Sequence, residues 1–92
     1  MTVFLITYEL VSDTNRGAIA KLLHAFPSWT RLSHNVYAIS TSMEADQLYR
    51  ALSPVLEFYD RIYVVAVQKP FSGFGVEHVD EWLENHLPPA AR

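Results

Sequence analysis

The sequence predicts an α+β fold, a βαββαβ antiparallel sheet with an added C-terminal helix, as a single domain over residues 1–92. Three observations carry this. Strand-like and helix-periodic segments alternate in that order, and each helical stretch runs into a proline. The 92 residues leave room for one core only, since a chain of this length buries roughly 60–65% of its unfolded surface.

Thr2 to Leu10 is a nearly continuous apolar run of β-formers. It is too short for an isolated helix and suits a central strand covered on both faces. Ser12-Asp13-Thr14-Asn15 gathers helix-capping types. Ala18, Ile19, Leu22, Leu23 and Phe26 then recur at three- and four-residue spacing until Pro27, which makes the first helix. Trp29 to Arg31 begins a second strand, Ser33-His34-Asn35 reads as a turn or an irregular strand end, and Val36 to Ser40 is a third strand paired with it. Thr41-Ser42-Met43-Glu44 fits a capping box, the Thr41 hydroxyl serving one orphan N–H and Glu44 reaching back to another. The second helix presents Ala45, Leu48, Tyr49 and Leu52 as its buried stripe and ends near Pro54. Arg61 to Gln68 is the clearest strand and closes the core at residue 68. In 69–92, a Gly/Pro-punctuated loop from Lys69 to Gly75 leads to a helix whose Val79, Trp82, Leu83 and Leu87 form one apolar side, stopped by Pro88-Pro89.

This is the ferredoxin-like, or split βαβ, order, with two helices on one sheet face reached by right-handed crossovers. The other face needs a cover, from the C-terminal helix or from a second copy. An aromatic share of 13% and a charged share of only 18% favour such a covered face. The absence of cysteine excludes a disulfide scaffold, a cysteine zinc site, an iron–sulfur cluster and a thiol nucleophile. Val3-Phe4-Leu5-Ile6 lacks a basic leader and stops too soon for a signal segment or a membrane span, so the expected setting is cytoplasmic, away from membranes. A net charge of −3 argues against strong non-specific nucleic-acid binding by the monomer but is compatible with a local basic groove.

Leu5-Ile6-Thr7-Tyr8-Glu9-Leu10 resembles the opening strand of a group of small bacterial proteins, which ends in Tyr-Asp-Leu or Tyr-Asp-Ile. Asn35-Val36-Tyr37 after Trp29 and Leu32, Asp60-Arg61-Ile62-Tyr63-Val64-Val65, Gly73-Phe74-Gly75 and Trp82-Leu83 extend the likeness over nearly the whole chain. The pattern resembles the CRISPR-associated protein two superfamily, and more closely its stand-alone SinR-type relatives. The resemblance implies a ferredoxin-like homodimer in which the acidic residue ending the first strand meets its symmetry mate. In active members two such aspartates hold one divalent metal, Mg²⁺ or Mn²⁺, for phosphodiester hydrolysis; other members bind nucleic acid, DNA or RNA, without cutting. Here that position is Glu9, the candidate catalytic and metal-binding residue, on the strand face opposite its neighbour Tyr8. Its extra methylene displaces the carboxylate by about one bond length, where Mg²⁺ demands near-ideal octahedral geometry. His34-Asn35 and Pro27 also depart from the group's serine and glycine.

Because each chain offers only one such carboxylate, a metal site requires a two-fold axis with water and phosphate oxygens completing the shell. Asp13 is the nearest candidate helper, although its position favours a turn or N-cap residue. The cations are scattered, not run into a stripe. Arg16 and Arg31 are the candidate nucleic-acid-binding residues, and Arg16 is the one to single out, because it lies one turn past the first strand, within reach of a phosphate bound near Glu9. Trp29 and Tyr37 read as base platforms or as packing. The four histidines have no ligand spacing, and His34 alone has a case as an acid or base. Three functions stay open: a metal-dependent nuclease or nucleic-acid adaptor; a non-catalytic homodimeric interaction or regulatory module of toxin–antitoxin type with a protein partner; and a small-molecule-binding or oxygenase-like domain.

Overall fold

The apolar opening run becomes strand β1 (Thr2–Glu9), which sits inside the sheet. A computed structural model describes residues 1–90. After β1 come α1 (Arg16–His24), β2 (Trp29–Ser33), β3 (Val36–Thr41), α2 (Ala45–Leu52), β4 (Arg61–Val67) and α3 (Glu77–His86), with short 3-10 turns at Asp13–Asn15 and Ser53–Val55. The strands lie in the order β2-β3-β1-β4 and every pairing is antiparallel. This is the ferredoxin-like arrangement with a helix added at its C-terminal side.

Successive strand residues face opposite ways, so β1 feeds two cores. Phe4, Ile6 and Tyr8 pack with Tyr37 and Ile39 of β3 beneath Ile19 and Leu23 of α1 and Leu48 and Leu52 of α2. On the reverse face Val3 and Ala38 pack with Val79, Leu83 and Leu87, so the C-terminal helix supplies a cover. That cover is partial. In the rows that pass through Leu5 and Thr7, edge strand β4 leaves Val65 50% and Tyr63 66% exposed.

Two local expectations shift. Thr41 is drawn into β3 opposite Thr2, so its hydroxyl accepts only from the Met43 N–H, at 3.2 Å. The capping box moves down to Glu44, whose N–H donates to Gln47 Oε1 at 2.8 Å. In α2 only Leu48 and Leu52 are buried, because a two-turn helix lying on a flat sheet brings one i, i+4 pair inward; Ala45 and Tyr49 face out. Strand β2 begins at Trp29 as expected and runs to Ser33 past an irregularity between Arg31 and Ser33, so Ser33 belongs to an irregular strand end. No helix among the described residues is long and apolar enough to cross a membrane.

Candidate nucleic-acid interface

The corner where β1 ends and β2 turns into β3 gathers the candidate residues. Ser12 Oγ accepts from the Thr14 N–H at 3.2 Å and starts the 3-10 turn that hands over to α1 at Arg16. From there Arg16 reaches two ways. Its Nε and Nη2 donate to Asp13 Oδ1 at 3.3 and 3.1 Å, and its Nη1 donates to the His34 carbonyl at 3.4 Å and to Asn35 Oδ1. Arg31 comes from the irregular stretch of β2. Its Nε donates to the Ser33 carbonyl at 3.2 Å and its Nη2 to the His34 carbonyl at 3.0 Å, while the guanidinium lies 5.7 Å from the Tyr37 ring centroid. The Tyr8 hydroxyl donates to the same His34 carbonyl at 3.3 Å.

Three side chains distant in sequence thus meet on one backbone oxygen, on the helix-bearing face of the sheet. Their remaining capacity differs. Arg16 is only 22% exposed and every one of its guanidinium nitrogens is engaged. Arg31 is exposed, and its Nη1 has no hydrogen-bond partner among the described residues. Arg31 is therefore free to meet a phosphate oxygen, whereas Arg16 positions the turn. Burial pushes the Tyr8 hydroxyl above its ordinary pKa and nearby Tyr37 adds to the rise, while Arg31 and Arg16 pull weakly the other way.

Glu9 lies at the same end of the sheet on the reverse face, exposed, opposite Arg61 in the β1–β4 register. It borders a hollow of about 400 Å³ shared with Leu10, Val11, Tyr59, Asp60 and Arg61. Asp60 was legible only as part of a strand motif, yet it organises this hollow. Its Oδ1 accepts from the Val11 N–H at 2.8 Å and its Oδ2 from the Glu57 N–H at 2.7 Å. Among the described residues no three of His, Asp and Glu converge as metal ligands. One chain by itself therefore does not supply a shell for Mg²⁺ or Mn²⁺ around Glu9. Asp13, the candidate helper, is held by Arg16 instead.

Trp29 and Tyr37 are packing groups. Tyr37 is fully buried, with its hydroxyl 3.0 Å from His24 Nε2, and Trp29 stacks on the His24 ring at 4.2 Å and 11°. His34 is exposed, with Nδ1 3.2 Å from Arg31 Nη2. His86 stacks on Trp82 at 4.2 Å on α3.

No family model matches the chain, and no curated protein does. A solved structure of a hypothetical protein from Thermus thermophilus is similar in fold, with a TM-score of 0.67 and 21% identity over 82% of this chain and 92% of that one. At that identity the likeness speaks to the fold alone.

Proposed function

We propose that this chain is a homodimeric nucleic-acid-associated protein, akin to the CRISPR-associated protein two superfamily, that binds a phosphodiester backbone without cutting it. The observation that carries this reading is the corner built on the His34 carbonyl. There Arg16 locks the turn and Arg31 keeps a free guanidinium edge beside the exposed His34 ring. Guanidinium groups suit phosphate oxygens through their planar fork of donors. A corner of this size gives weak contacts singly, and a two-fold pair of corners raises the affinity through effective concentration. The non-cleaving part rests on Glu9, a lone exposed carboxylate longer than the aspartate of active relatives.

The test follows labelled single- and double-stranded DNA and RNA by fluorescence anisotropy across a salt series, with a cleavage assay in Mg²⁺, Mn²⁺ or chelator. The expected outcome is salt-steep binding and intact strands. Metal-dependent cutting that disappears in Glu9→Gln would show a shared carboxylate site and overturn the non-cleaving reading. Absence of salt-sensitive binding would overturn the nucleic-acid reading itself. A second reading, a homodimeric interaction module of toxin–antitoxin type with a protein partner, draws on the exposed Tyr63 and Val65 of β4. It predicts concentration-dependent self-association that Tyr63→Lys abolishes, with no affinity for either nucleic acid.

A further inference from the structure

The turn that leads into β4 displays two aromatic rings where nothing in the fold requires them. Phe58 is 81% and Tyr59 76% exposed, and the rings meet edge to face with centroids 4.3 Å apart. Tyr59 holds φ at 79°, the one non-glycine residue of positive φ among the described residues. For a bulky side chain that conformation costs about 1–2 kcal/mol. It persists because Asp60 clamps the turn from both sides, accepting from the Val11 and Glu57 N–H groups. Strained backbone of this kind clusters at functional sites.

The hollow beside this turn joins three chemistries. Tyr59 brings an aromatic side chain to its lining, Arg61 a guanidinium and Glu9, its cross-strand neighbour, a carboxylate, and neither charged group makes an ion pair among the described residues. Asp60 is occupied by the two backbone donors, and Glu57 lies on the solvent side of the turn. We infer that this hollow is a binding site for one unpaired nucleotide. The base stacks on Tyr59, braced edge-on by Phe58, its exocyclic amine donates to the Glu9 carboxylate, and its phosphate meets Arg61. Aromatic stacking is indifferent to base identity, whereas a carboxylate acceptor favours bases that carry an amino group, which among the pyrimidines is cytosine over uracil. Glu9 then reads a base edge instead of holding a metal. The site deepens the nucleic-acid reading and rests on it only for its source of ligand: a single strand offers unpaired bases, and so does a free nucleotide.

The test uses Tyr59→Gly, which removes the ring while glycine adopts positive φ without strain, and Tyr59→Phe, which retains it. Cytidine and uridine 5′-monophosphates are titrated by NMR, and a short labelled single strand and a blunt duplex by anisotropy. The site predicts that Tyr59→Gly weakens single-strand binding about tenfold, leaves duplex binding unchanged without lowering the thermal unfolding temperature, and that Tyr59→Phe restores the affinity. It predicts that cytidine monophosphate binds more tightly than uridine monophosphate and that Glu9→Gln erases that preference. If Tyr59→Gly binds single strands as the parent does, the site is overturned while the proposed function stands. If cytidine monophosphate shifts the Tyr59 and Arg61 resonances but no strand binds, the site stands as one for free nucleotides and the proposed function falls. If neither probe binds, both fall.

Discussion

Replacing Arg31 with glutamine removes the one guanidinium at the His34 corner that retains an unengaged nitrogen, Nη1. Its other contacts, to the Ser33 and His34 carbonyls, to His34 Nδ1 and over the Tyr37 ring, are made by an exposed side chain, so the fold loses little. Nucleic-acid binding loses a defined amount. Each single-strand phosphate neutralised contributes roughly 0.7 to the slope of log affinity against log salt. A homodimer that engages both corners loses two contacts with this change, which lowers the slope by about 1.4. Over a fourfold rise in salt those two contacts account for about a sevenfold loss of affinity, against about 2.6-fold for a single corner. The assay is anisotropy of a labelled single strand at a series of salt concentrations, parent against Arg31→Gln. The size of the slope change therefore also counts the corners engaged. An unchanged slope in Arg31→Gln, in protein shown to be folded, refutes the assignment of this corner to phosphate.

Other consequences are as definite. Leu48 is fully buried between α2 and the sheet, so Leu48→Ala is expected to cost about 2–5 kcal/mol in urea unfolding, and a loss below about 1 kcal/mol would contradict the packing described. Tyr8→Phe removes the bond to the His34 carbonyl and should cost about 0.5–1.5 kcal/mol near neutral pH. Tyr8 also has a pKa raised by burial, so the folded state holds its proton longer than the unfolded chain does; its contribution is intact below the ordinary tyrosine pKa and is lost as pH rises through the raised one. Tyr8→Phe should accordingly flatten the alkaline limb of a stability–pH curve, and an unaltered limb would count against it. The Lys69–Glu84 pair, 3.3 Å apart with Glu84 68% exposed, is a surface contact, and Glu84→Gln should change stability by less than about 1 kcal/mol.

The candidate site was legible in pieces. Arg16 and Arg31 could be singled out as cations near strand ends, and the structure brings them together, but it exchanges their expected weight. Arg16 looked the better phosphate ligand from its position one turn past β1, and Asp13, Asn35 and the His34 carbonyl occupy it. Glu9 was visible as a strand-terminal carboxylate on the face opposite Tyr8, and there it stands. Tyr59 escaped notice because a tyrosine carries no mark of left-handed backbone. Only Asp60 behind it, a turn-forming type ahead of a strand, offered a signal.

By itself the sequence determined the order of the elements, their approximate bounds and which strand would be central. Each of these is local: an apolar run, a 3.6-residue period, a cap or a proline acts over fewer than about a dozen residues. It likewise put Tyr8 and Glu9 on opposite faces, since strand alternation allows nothing else. The tertiary structure decided how much of the reverse face α3 covers, that Trp29 and Tyr37 pack instead of projecting, and that residues 8, 16 and 31 converge on the carbonyl of residue 34. A carbonyl belongs to every residue alike, so which one becomes a hub depends on where the β2–β3 turn falls against β1 and the start of α1. That placement follows from antiparallel register and core packing, which act between segments far apart in the chain.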